Sequence, residues 1–263
     1  MSLITSFLQD LPLYLLSLPV LLMAFSIHET AHGYIAYKLG DPTARSLGRL
    51  TLNPVKHIDP IGFICMMLFH VGWAKPVPIN TRYFKNPKRD MALTGAAGPI
   101  SNLILAVLHL ILLRVLLLFL APSMIGEAVD VYIGMGITGG VYKASLGFTA
   151  LSLLIYIIYL GVLMNISLAV FNLIPVPPFD GSRIFYAFLP PKLYFGVMKY
   201  ERIIMLVMLV LFAFGFLTGP LNWILTKLLS GLFFSTGMEY GDSMPLLSIM
   251  LQYVDSLLTL KSS

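Results

Sequence analysis

Charge is scarce in this chain. Of its 263 residues, 11% are charged and 58% hydrophobic, where an ordinary soluble domain carries roughly 25% charged residues. The shortage excludes a charge-covered soluble fold. A mean hydropathy of +0.87, with several long apolar runs, marks an integral membrane protein. Cysteine is nearly missing as well. Cys65 stands alone, which excludes an intramolecular disulfide and a cysteine-built zinc site. The stretch Met1–Asp10 holds no Lys or Arg, so no cleavable signal peptide is expected. Repeats, low-complexity tracts and a soluble domain are also missing. The length fits one membrane-embedded domain over residues 1–263, with a core from about residue 11 to 220 and an extension over 221–263. The net charge of +5 does not imply nucleic acid, because the basic residues sit in loops between apolar segments.

What the chain has in quantity is apolar runs. The first extends from about Leu11 to Leu39 and stops at Gly40-Asp41-Pro42. It exceeds the ~20 residues needed to cross, so tilt or overhang is expected. Further spans are expected over about Met91–Leu120, Leu146–Leu173 and Ile203–Leu217, with Trp223–Phe234 too short to assign. Between the first two spans, Phe63–Trp73 is too short to cross as a helix and suits a re-entrant or interfacial element. Pro76 and Pro78 then favour extended backbone, an edge strand that could offer pairing to an unwound peptide. Ala121–Ser145 reads as a loop or weak helix. Gly95, Ala96 and Gly98 open the second span with a small-residue surface that lets another helix approach closely. The expected fold is an all-α polytopic membrane protein of about four to six spans, with a re-entrant or short β element between the first two.

Charge sets the expected orientation. Residues 38–89 carry nine Lys and Arg, and residues 174–202 carry four: thirteen of the seventeen. Both stretches fall on one side if the spans alternate, and that side is expected to be cytoplasmic. The first span then delivers its C-terminal end, with His28 and His32, to the cytoplasmic side.

His28-Glu29-Thr30-Ala31-His32 is the chemical centre of the sequence. Two His four apart lie on one helix face and can reach one ion, and Glu29 beside them can accept a proton from an activated water. Satisfied core histidines with a solvated Glu are the bland alternative. It fits poorly here, since ionisable groups in a bilayer-length segment are costly and no solvated face is apparent. Zinc at a catalytic site takes three protein ligands, so one more is needed at the same depth. Asp180, after the third span in Pro175-Val176-Pro177-Pro178-Phe179-Asp180-Gly181, meets that requirement, although Asp-Gly is also a common turn. Asn172 can donate to a developing oxyanion or simply cap its helix. His57 can bind substrate or stabilise the transition state, or be an ordinary loop residue. His109, Cys65 and His70 read as packing, and Arg114 as a snorkelling residue.

With these residues in view, the chain resembles the site-2 protease family of intramembrane zinc metalloproteases, in its compact prokaryotic branch without a PDZ domain. The matching stretches are His28 to His32, Gly48-Arg49-Leu50-Thr51-Leu52-Asn53-Pro54 with His57, Gly72 to Pro78, Gly98-Pro99 with Asn102, and Asn172 to Gly181. They run in the family order over roughly residues 20 to 190. Phe179 replaces the usual Leu, and Met66-Met67 stand where a Pro is common. The resemblance implies that His28, His32 and Asp180 bind Zn²⁺, that Glu29 is the general base, and that Asn172 and His57 occupy motif positions. The expected function is hydrolysis of peptide bonds in or near transmembrane segments of membrane protein substrates, in the cytoplasmic membrane, with no nucleic-acid partner. A metal-ion transporter would need a polar path through the spans, which they do not offer. A non-catalytic membrane binding protein would not need Glu29.

Overall fold

The computed structural model describes residues 3–69, 73–119, 127, 130–131, 144–190, 193, 196–197, 199–216 and 218–235. Eight α-helices carry the described chain: α1 (Leu3–Lys38), α2 (Thr43–Ser46), α3 (Pro60–Phe69), α4 (Pro87–Phe119), α5 (Leu146–Asn172), α6 (Asp180–Tyr186), α7 (Glu201–Ala213) and α8 (Thr218–Ser235). Short 3-10 turns stand at Pro54–Lys56 and Thr81–Tyr83. Among the described residues, three helices are long and apolar enough to cross a membrane: α1 over Leu15–Lys38, α4 and α5. On the outward side of α4, Leu103, Ile104, Leu108 and Ile111 are exposed. That surface is costly in water but suited to lipid.

The expected fourth span, Ile203–Leu217, is not among the candidate spans of the described residues: its part up to Ala213 belongs to the 13-residue helix α7. At 1.5 Å per residue it reaches about 20 Å, short of a ~30 Å hydrocarbon core. Trp223–Phe234 lies inside α8, which is longer than the apolar run alone. The short apolar run after Pro60 is the ten-residue helix α3, too short to cross, as its length implied. The expected edge strand does not form among the described residues. Only an isolated antiparallel bridge joins Ile58 to Ala74. The prolines at 76 and 78 explain this, because each lacks the N–H that a ladder needs. His70, Gly72, the Cys65 side chain and most of Ala121–Ser145 lie outside the described residues and side chains.

The chain divides into two compact units. The first comprises Leu22–Leu105 and Asn165–Lys227. It holds the C-terminal part of α1, the N-terminal part of α4, the end of α5, and α2, α3, α6 and α7. Arg183 on α6 pairs with Glu201, the first residue of α7, at 2.7 Å. Buried Asp41 caps α2, accepting from Thr43 N at 2.9 Å and, through its second oxygen, from Asn80 N at 2.7 Å. The second unit comprises Met1–Leu21, Ala106–Met164 and Leu228–Ser263. Its core gathers Leu110, Leu113, Phe148, Ile155, Val162 and Phe233. His109 packs there against Gly161, where a Cβ would come within 2.3 Å of the ring. The packing expectation for His109 therefore holds.

Candidate active site

His28 and His32 are both buried on α1, about 40° apart around the helix. Each ring has a fixed outer contact. His32 Nδ1 lies 2.7 Å from the Thr94 carbonyl, which can only accept, so Nδ1 carries the proton. His28 Nδ1 lies 2.5 Å from Asn102 Oδ1. The Asn102 amide is oriented by its own donations, to Asn165 Oδ1 at 2.9 Å and to the Ala24 carbonyl at 3.4 Å. Its oxygen therefore faces His28, and His28 donates from Nδ1 as well. With both Nδ1 atoms engaged, the two Nε2 atoms turn to one point.

At that point they meet each other at 3.0 Å and Asp180 Oδ2 at 3.1 Å each. Burial pushes the Asp180 carboxyl up, but hydrogen bonding to the His28 and His32 rings outweighs it and holds the carboxyl below the usual carboxylate range. A proton or a divalent cation can occupy the space shared by these three atoms. Metal binding displaces the proton. Two imidazoles and one carboxylate fit Zn²⁺, leaving a fourth position for chemistry.

The local sequence explains the convergence. Gly95, Gly98 and Asn102 recur on one face of α4. A Cβ on Gly98 would come within 2.4 Å of His32 Nε2 and 2.5 Å of His28 Cε1, so only glycine lets α4 lie against both rings. A Cβ on Gly95 would stand 3.1 Å from Arg183 Cβ and 3.3 Å from the Asp180 carbonyl. The small-residue surface expected on this helix thus receives two elements at once: the α1 histidines and the start of α6. Gly181 permits the turn that presents Asp180, since a Cβ there would be 2.3 Å from the Leu173 carbonyl.

Glu29 points elsewhere from its neighbour. Its Oε2 accepts from Val77 N at 2.7 Å. That bond completes an unusual stretch. Lys75 N donates to the His57 carbonyl at 2.8 Å, and positions 76 and 78 are proline. No N–H over residues 75–78 is left to donate, so an added peptide strand would find acceptors only. An added strand could therefore pair here only by donating its own N–H groups to the carbonyls of this segment.

Two expected site residues do not join the cluster. Asn172 donates its amide to the Leu168 carbonyl at 2.9 Å, one turn back in α5. His57 is buried and donates from Nε2 to the Thr51 carbonyl at 2.7 Å. Thr30 Oγ1 donates to that same carbonyl at 2.7 Å, so His57 is tied to the His-Glu-Thr-Ala-His turn through Thr51. Its Nδ1 is sealed from solvent and has no hydrogen-bond partner among the described residues. The sequence analysis missed Thr94 and Asn165, and placed Asn102 only as part of a resemblance. Polar side chains inside apolar spans were the available signal. Pairing Asn165 with Asn102 needed the fold.

A membrane-spanning helical protein with a His-His-carboxylate centre and an adjacent Glu is a metallohydrolase of the bilayer. The model of Peptidase family M50 matches residues 16–217, and the chain belongs to that family. It is 38% identical over 195 residues to "Putative zinc metalloprotease YwhC" of Bacillus subtilis, covering 73% of this chain and 77% of that protein. It is 25% identical over 204 residues to Rip2 of Mycobacterium tuberculosis H37Rv, which carries the same description, covering 75% and 66%. No solved structure matches. The resemblance to site-2 proteases holds, and the protein is a zinc-dependent metalloendopeptidase of the membrane.

Proposed function

We propose that the protein cleaves transmembrane segments of other membrane proteins, with Glu29 as general base and His28, His32 and Asp180 as the zinc ligands. The observation that supports this best is the convergence of His28 and His32, on the bilayer-length helix α1, with Asp180 at the start of α6: the three candidate ligand atoms lie 3.0–3.1 Å apart, and Glu29 follows His28 in sequence. Zinc supplies Lewis acidity that activates water and polarises a carbonyl. Glu29, about 100° around the helix from His28, accepts the proton of the attacking water and returns it to the leaving amine. A substrate helix hides its carbonyls in hydrogen bonds, so it must unwind locally to present one. The basic loops favour a site on the cytoplasmic side of the cytoplasmic membrane.

The test is paired measurement of zinc per chain and cleavage of a membrane substrate in one detergent. The wild type should carry about one zinc and cleave. His28→Ala and Asp180→Ala should lose both properties. Full zinc occupancy in Asp180→Ala would remove that residue from the ligand set.

A further inference from the structure

The peptide group between Pro76 and Val77 is held at both ends. Its N–H donates to Glu29 Oε2 at 2.7 Å. Its carbonyl accepts from Arg49 Nη2 at 3.3 Å, and the same nitrogen donates to the Lys75 carbonyl at 2.8 Å. A cation therefore sits at the oxygen end of one peptide dipole and a carboxylate at its hydrogen end. Arg49 polarises the amide, which strengthens its donation to Glu29. The flanking prolines make the contact unambiguous. Neither Pro76 nor Pro78 has an N–H, so Val77 supplies the only amide hydrogen of that tripeptide. Slippage by one residue would leave Glu29 without a donor.

We propose that Arg49 is a positioning residue for the general base, acting on Glu29 through the Pro76–Val77 peptide. This rests on the protease reading above. One carboxylate oxygen of Glu29 is anchored, and the other is left to face the reacting water. Neither Arg49 nor Val77 is a hydrogen-bond partner of His28, His32 or the Asp180 carboxylate. Loss of the Val77–Glu29 hydrogen bond should appear in kcat while zinc content and KM stay near wild type.

The experiment compares Val77→Pro with Val77→Ala in the full-length, zinc-loaded protein. Both truncate or alter a buried side chain, but only the proline deletes the N–H. Val77→Pro should lower kcat by about 10- to 100-fold, the scale of a hydrogen bond to a charged group, and Val77→Ala should retain most of it. Arg49→Met should lower kcat in the same direction, and Arg49→Lys should restore part of the loss. Equal losses in the proline and alanine variants would make Val77 a packing residue and overturn the proposal. So would a loss confined to KM, or no loss in Arg49→Met. If Val77→Pro loses its zinc, the backbone ester at position 77 deletes the N–H with the side chain intact, and the same kcat criterion applies. Absence of Glu29-dependent cleavage in the wild type would instead remove the protease reading itself.

Discussion

Glu29 and His28 are neighbours in sequence with separate tasks in space. Glu29 accepts from a backbone amide, and His28 faces His32 and Asp180 in the candidate metal site. Glu29→Gln keeps size and polarity but cannot accept the proton. Cleavage should fall by about 10²–10⁴-fold with zinc still bound. Loss of zinc in that variant would make Glu29 a ligand or a structural group instead. Asn102 belongs to the same scale. It orients His28 through a contact of 2.5 Å, and its own amide is held by Asn165. Outer contacts of this kind typically tune metal affinity by about 10- to 100-fold. Asn102→Ala should weaken the zinc dissociation constant by that factor, read by competition with a chelator. An unchanged constant would mean that the ring is held in place by packing alone.

Among the elements, α4 decides whether a site exists. Its glycines bring α1 and α6 close enough to share an ion, and either substitution acts on geometry rather than on chemistry. In Gly98→Ala the new methyl would stand 2.4 Å from His32 Nε2. Alanine is the better helix former, so helicity should be retained while zinc binding is lost. Gly231→Ala in α8 is the control, because a Cβ there meets nothing within 4 Å. Its zinc content and activity should match the wild type. Circular dichroism with metal analysis on both variants separates the two cases. Zinc retained in Gly98→Ala would show that α4 can shift without cost to the centre.

At the scale of the whole molecule, orientation follows from where the cations lie. Thirteen of seventeen Lys and Arg fall in two stretches, 38–89 and 174–202. A reporter fused after Arg89 should therefore read cytoplasmic. A signal from the opposite side would invert the topology and move the catalytic face with it.

The sequence by itself determined the class. Scarce charge and long apolar runs required a bilayer, and the His28–His32 spacing required two imidazoles on one helix face, because both follow from local chain geometry. The approach of Asp180 to the two histidines was legible too, through its depth relative to the spans. The limits of α7 were not, since hydropathy does not show where a helix ends: Leu217 is as apolar as the residues before it, yet α7 stops at Ala213. The tertiary structure alone decided which asparagine contacts the histidine pair. Asn172 read as an oxyanion donor or a helix cap, and its amide turns back to Leu168, while Asn102 and Asn165 meet from different helices beside His28. It also decided what Pro76-Val77-Pro78 does. As sequence the tripeptide reads as an extended edge. In the fold its one N–H is taken by a carboxylate 48 positions earlier in the chain. Contacts between residues so far apart depend on how helices pack, and no local pattern encodes them.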